Sequence, residues 1–353
     1  MSENKRLDWL DSLRGIAMLN VIYFHICVYL LGRSTLINDS LDRWQMPLFF
    51  FVSGFLAFVP GYDAPLFKKR MKARLFQQLY PTIIVWLLFV LTSWLFSDAS
   101  LKENLLHGIY DPAKVGYWFT FSLVQVFVVY VMFAFLLSYF RVPITKQIFY
   151  YIFVIIVFGI LSLFAVDDAA MTGIGRKVWN VLSLGKTIKL VTFFFVGALV
   201  RMHWHPICNL MRHYWFVVLC LVIFVVSSLI LTTAGEKTCA IGYLISRISG
   251  LAFMVSLFVC LGRYVSDATR LGRYLQRIGR NTLPIYLFHF FILLLCSEYF
   301  INDLRCLLRY LSTNPVVELI SFTTISVIFT EITLVVDSLL KMMPRVHKVI
   351  FAK

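Results

Sequence analysis

The chain has 353 residues, of which 60% are hydrophobic and 14% charged, and its mean hydropathy is +0.82. A soluble domain of that length has too little interior to hide so much apolar surface, whereas a polytopic membrane protein exposes it to lipid. The net charge of +15 is spread over short segments between apolar runs. That is the distribution of membrane topology, and no nucleic-acid partner is expected.

Ten apolar runs approach the length that a bilayer core demands: 12–31, 44–60, 79–97, 117–140, 148–166, 187–202, 214–232, 241–262, 281–300 and 315–339. No cleavable signal peptide is expected, because the first run is long and lacks a small-residue cleavage pattern. With the N-terminus inside, 20 of the 33 Lys and Arg fall in inner segments, so the positive-inside rule predicts N-in and C-in. The seven cysteines form no C-x-x-C pair and no metal-ligand spacing, and no metal is expected. Cys239 and Cys306 both fall outside in this topology, which leaves a bridge between them open.

The first run carries the chemistry. In "LDSLRGIAMLNVIYFH" (10–25), Arg14 and His25 are 11 residues apart. That spacing is close to three full helical turns and about 16.5 Å of rise, so both lie on one helix face. Arg14 sits near the inner surface and His25 well inside the bilayer. Asp11, three residues before Arg14, is placed to pair with it. The pair is either an interfacial anchor, with His25 a satisfied polar group between helices, or part of a site. A long anionic ligand such as coenzyme A fits the second reading: its phosphates would be held by cations at the surface and its thioester would lie near a deep imidazole. Imidazole is the usual general base near neutral pH.

Further along, Ser53-Gly54 lies within the second run without a G-x-S-x-G elbow, so the glycine is read as a packing residue. The third run is preceded by the basic segment 68–74, whose Arg70, Lys72 and Arg74 are read either as plain topology or as a phosphate clamp. Trp118 opens the fourth run as an interfacial aromatic or a wall of a donor channel. "HWH" at 203–205 reads as solvated loop, poor in further metal ligands. The longest polar loop is 263–280. In the ninth run Tyr286 and His289 share a helical face, to bind an acceptor or to staple helices. Glu331 lies near the middle of the tenth run, where an ionised carboxylate needs a partner.

Several stretches resemble the acyltransferase-3 family of integral membrane acyltransferases. They run in family order: "RLDWLDSLRGIAMLNVIYFH" (6–25), "FFFVSGFLAF" (49–58), "KKRMKARLFQQLYP" (68–81), "YWFTFSLVQVFVVY" (117–130), "TFFFVGALVR" (192–201) and "GRNTLPIYLFH" (279–289). Gln78 stands where the family often has the second Arg of its Arg-x-x-Arg pair. The resemblance implies a cytoplasmic acyl-CoA donor, a carbohydrate acceptor, and essential roles for Arg14 and His25, which match the Arg and His of the family's first helix.

The expectation is therefore an all-α membrane protein, one domain over 1–353, with about ten transmembrane helices, in the plasma (inner) membrane. Its activity would be O-acyl transfer, most simply acetyl from acetyl-CoA to a hydroxyl of an envelope polysaccharide or its lipid-linked precursor. Coenzyme A thioester is a substrate, and no cofactor is held permanently. His25 would act as general base or carry the acyl group transiently. A transporter or flippase of lipid-linked sugar, or the same enzyme with a succinyl donor, stays open, as does the oligomeric state.

Overall fold

A computed structural model describes residues 7–164, 172–234 and 240–351; Cys239, and with it the Cys239–Cys306 question, lies outside them. Among the described residues the secondary structure is helical, with no strand. The helices are α1 (Asp8–His25), α2 (Leu36–Ala57), α3 (Ala64–Arg74), α4 (Tyr80–Trp94), α5 (Leu101–Tyr110), α6 (Trp118–Tyr139), α7 (Ile144–Phe164) and α8 (Gly173–Val181). They continue with α9 (Leu184–Met202), α10 (Trp204–Met211), α11 (Tyr214–Ala234), α12 (Ala240–Cys260), α13 (Arg270–Arg280), α14 (Thr282–Leu311), α15 (Pro315–Met342) and α16 (Pro344–Phe351). The chain is an all-α polytopic membrane protein. Eight helices are long and apolar enough to span a bilayer, and α8 with α9 forms a ninth if their 46° bend is taken as one broken span.

Four expectations change. The run 44–60 is helical, but α2 begins earlier and its first half carries Asp39, Asp42 and Arg43, so it falls outside the apolar set. The basic segment 68–74 is helix, not loop. Asp63 caps α3 by accepting from the Leu66 N–H at 2.8 Å. The helix then runs on through a π-helical stretch, Leu75–Leu79, into α4. Pro81, which has no N–H to give to the carbonyl four residues back, follows that looser stretch. The polar loop 263–280 contains α13, capped by Thr269, whose hydroxyl accepts from the Gly272 N–H at 2.9 Å. Finally, the "HWH" segment opens α10, and Trp204 stacks on Trp9 with ring centroids 5.3 Å apart.

The chain divides into two compact units. The first comprises Met1–Val52 and His203–Asp337. In lipid there is little hydrophobic force between helices, so close packing and interhelical hydrogen bonds hold them. Here α13 lies against α1 at a reciprocal glycine contact. A Cβ on Gly15 would stand 2.1 Å from the Leu275 carbonyl oxygen, and one on Gly279 would stand 1.8 Å from that of Asp11. Only glycine lets the two backbones approach so closely. Ser12 adds a hydrogen bond from its hydroxyl to the Val265 carbonyl at 2.7 Å. Helices α11 and α12 pair along their length, with Ser228 and Ser246 hydroxyls 3.1 Å apart.

The second unit comprises Ser53–Met202 and Ser338–Lys353. Its core is aromatic. Tyr130, Tyr151, Phe194 and Phe195 are fully enclosed, and the two phenols lie 3.2 Å apart. Gly54 takes its expected packing role, since a Cβ there would meet the Phe194 carbonyl oxygen at 1.8 Å. Helix α16 folds against α4.

Candidate active site

His25 is the last residue of α1, at the point where the helix loosens into a π-helical segment, Ile26–Leu31. Such bulges widen the spacing along one face and recur at functional sites. Opposite stands α14, and His25 Nδ1 lies 2.8 Å from His289 Nε2, both residues being buried. His289 Nδ1 in turn lies 3.1 Å from the Ile285 carbonyl oxygen. This chain of contacts sets the protons. A carbonyl only accepts, so His289 Nδ1 carries the hydrogen and donates it. His289 Nε2 then holds the lone pair and accepts from His25 Nδ1–H. The remaining nitrogen of His25, Nε2, is left in the unprotonated, basic form. Phe290 and Tyr29 flank the His25 ring at 4.8 and 5.8 Å between centroids, and the Tyr286 ring stands 5.9 Å from that of His289.

The other end of α1 carries an ionic network. Arg14 Nη1 lies 3.7 Å from the Asp11 carboxylate, and Arg14 Nη2 donates to the Thr282 hydroxyl at 2.8 Å. Asp11, nearly buried, also accepts from Arg280 Nε at 3.2 Å, and Arg280 donates to Gln276 at 2.8 Å. The glycine contact between α1 and α13 makes this possible, because it brings the helix that bears Arg280 against the one that bears Asp11. Arg14 keeps about a quarter of its side chain accessible, 27%. It therefore stands on a fixed mount, within reach of an anion from the surface.

Two acids of α15 have separate roles. Glu331 pairs with Arg277 of α13 at 3.1 Å and is more than a third exposed. It is thus not an isolated membrane carboxylate, and it raises the nearby Tyr274 phenol, which burial and this acid together push up to about 12. Glu318, which like Asp337 of the same helix is 3% exposed, accepts from Tyr23 at 2.7 Å and from Thr35. Sequence reading passed over it. Its signal was a lone carboxylate in the apolar "PVVELISF", at the start of a helix, where its charge suits the helix dipole.

The residues expected to meet the donor lie in the second unit. Arg70 Nη1 donates to the Ala57 carbonyl, the last of α2, at 2.6 Å and to the Tyr62 hydroxyl at 3.1 Å. The carbonyl it meets is one that a helix end leaves unpaired. Burial raises the Tyr62 phenol, while Arg70 and Arg74 act in the opposite sense. Arg74 Nη1 donates to Gln78 Oε1 at 2.6 Å, and its guanidinium lies 4.4 Å from the Phe127 ring centroid. Gln78, which stands in place of an arginine, is thus a polar partner to Arg74. Lys72 Nζ lies 6.0 Å from the Phe76 ring, and Trp118 carries Lys186 Nζ over its face at 4.7 Å.

A family model described as "Acyltransferase domain" matches residues 7–334. The chain belongs to the acyltransferase-3 family. No curated protein and no solved structure gave a match. As a member of that family the protein is a membrane acyltransferase. The matched stretch takes in every site residue considered above, from Asp11 to Glu331. In this acyltransferase the structure joins His25 to His289, and Asp11 and Arg14 to Arg280 and Thr282. It keeps Glu331 apart from both groups, with Arg277 as its partner.

Proposed function

We propose that this acyltransferase moves an acetyl group from cytoplasmic acetyl-CoA to a hydroxyl of an envelope polysaccharide or its lipid-linked precursor, in the plasma membrane. The observation that carries the reading is the His25–His289 pair, anchored on a backbone carbonyl so that His25 Nε2 is held as a base. In the step itself Nε2 removes the proton of the acceptor hydroxyl as its oxygen attacks the thioester carbonyl. The C–S bond then breaks, and the imidazolium returns its proton to the departing thiolate. His289 stabilises the transient imidazolium by accepting from Nδ1–H.

Arg14, about 16.5 Å along α1 from His25, is spaced to meet charge at the far end of an extended donor. Within the second unit, Arg70, Lys72 and Arg74 are the cations proposed for coenzyme A phosphates, and Trp118 an aromatic wall. Only Nη1 of Arg70 is engaged among the described residues, which leaves its other donors for a phosphate.

The test compares surface glycans of cells with the wild-type gene, with His25→Ala, and without the gene, by mass spectrometry. The expected result is an acetyl increment per sugar that needs both the gene and His25. A succinyl increment would change the acyl group and keep the chemistry. No difference in acylation would overturn the reading. Rapid acid quench of the purified protein with labelled acetyl-CoA separates direct transfer from an acyl-histidine: label retained on a peptide containing His25 means the covalent route.

A further inference from the structure

Arg43 sits in the polar first half of α2, one residue outside the expected second span, and the structure buries it to 3% exposure. Among the described residues neither Nε nor Nη1 has a hydrogen-bond partner, and no carboxylate there pairs with it. A guanidinium is charged at any working pH, and a charge enclosed by protein and lipid is stable only with a counter-charge. Two amides of the same stretch are also incomplete. Asn38 donates to Ser34 at 2.8 Å and Gln45 to Asp42 at 2.8 Å, which fixes their orientation, yet Asn38 Oδ1 and Gln45 Oε1 are buried and accept nothing. Seven residues apart, these two share one side of the helix, while Arg43 lies about 140° away from it. The case for an anion thus rests on Arg43, and the two amides, on the other side of the helix, are no part of it.

A second arginine is buried in the same unit. Helix α12 crosses α2 where a Cβ on Gly250 would stand 3.2 Å from Trp44 Cβ, and Arg247, 8% exposed, lies one turn away with its guanidinium over Tyr243. The level within the membrane matters too. Counted from the turn Gly32–Thr35, His25 and Arg43 each lie about two helical turns in, on the two helices it joins. Arg14 is at the far end of α1. Arg43 and His25 thus lie at about the same level, counted from that turn, and Arg14 does not.

We propose that Arg43 is the anion-binding residue for the acceptor, and that the acceptor is a polyhydroxylated anion: a sugar bearing a carboxylate or a phosphate. The assignment of this ligand as acceptor rests on the function proposed above; the anion site itself does not. Its carboxylate or phosphate takes the unpaired N–H groups of Arg43.

The experiment measures thermal unfolding of the purified full chain in detergent with glucuronate, glucose 1-phosphate or glucose, for wild type and for Arg43→Met. At least one of the two sugar anions should raise the wild-type midpoint, and which one does so tells carboxylate from phosphate. Glucose should not. Arg43→Met should melt no lower than wild type without ligand, because it removes an uncompensated buried charge, and should lose the stabilisation. A midpoint unmoved by both anions, or raised equally in the variant, overturns the site. If Arg43→Met fails to accumulate, phenylglyoxal labelling of Arg43 in the wild type, mapped by peptide mass spectrometry, decides. The effective sugar anion must slow it and glucose must not; equal labelling refutes the proposal. In turnover assays, Arg43→Met should raise the acceptor KM roughly ten- to a hundred-fold and leave the acyl-CoA KM unchanged. Unfolding and labelling need no turnover, so failure of acetyl transfer would leave this site standing, and failure of anion binding would leave the transferase reading standing.

Discussion

Replacing His289 by Leu removes the acceptor for His25 Nδ1–H while keeping a buried side chain of similar bulk. In the ground state the lost contact is the 2.8 Å hydrogen bond between the rings. As the acceptor hydroxyl loses its proton, His25 becomes an imidazolium and that same bond becomes charge-assisted. Hydrogen bonds to charged groups are worth about 1.5–3 kcal/mol. The loss falls on the transition state more than on the bound substrates, so it should appear in kcat, as a fall of roughly ten- to a hundred-fold, with KM nearly unchanged. His289→Gln offers an amide oxygen in place of Nε2 and should recover part of the rate. The assay is steady-state acetyl transfer by protein in nanodiscs, with a thermal melt of each variant beside it. Two results would refute the relay. One is a Leu variant with wild-type kcat. The other is Gln and Leu variants equally impaired in step with lower melting midpoints, which would make His289 a structural residue only.

Gly279→Ala puts a methyl 1.8 Å from the Asp11 carbonyl oxygen and should lower stability by about 1–3 kcal/mol, read as a lower melting midpoint. Gly159→Ala, which meets nothing within 4 Å, should be neutral or stabilising. Glu318→Leu strands the Tyr23 and Thr35 hydroxyls and should cost about 1–3 kcal/mol per buried donor left unpaired, while Glu318→Gln, which keeps an acceptor, should cost less. Arg14→Lys keeps the charge but not the planar fork that spans Asp11 and Thr282, and should transfer acetyl poorly; full activity with Lys would reduce Arg14 to a point charge. Neutralising Arg70 and Arg74 together should raise the KM for acyl-CoA more than that for the glycan, with an effect that shrinks at high salt; an unchanged donor KM would remove this segment from donor binding.

Composition and hydropathy alone determined the fold class, because apolar runs of bilayer length leave a chain no soluble alternative. Helical periodicity alone put Arg14 and His25 on one face and Asp11 within reach of Arg14. Those are local relations, carried by a single helix, and sequence expresses them directly. What only the tertiary structure decided lies between helices. That His289 meets His25 depends on how α14 lies against α1, and no spacing within either segment encodes it. The segment 263–280 reads as a loop because it is polar. It is a helix because Thr269 caps it and because Gly15 and Gly279 let it lie against α1, so that Arg280 reaches Asp11. Glu331 looked like the acid within the membrane from its place in the run. Glu318 is enclosed instead, and Tyr23 and Thr35, nearly three hundred residues earlier, supply its donors. Arg43 looked like a residue of the first polar connection, since charge beside an apolar run is usually solvated. Burial is a property of the surroundings, and only the tertiary structure shows that arginine removed from water.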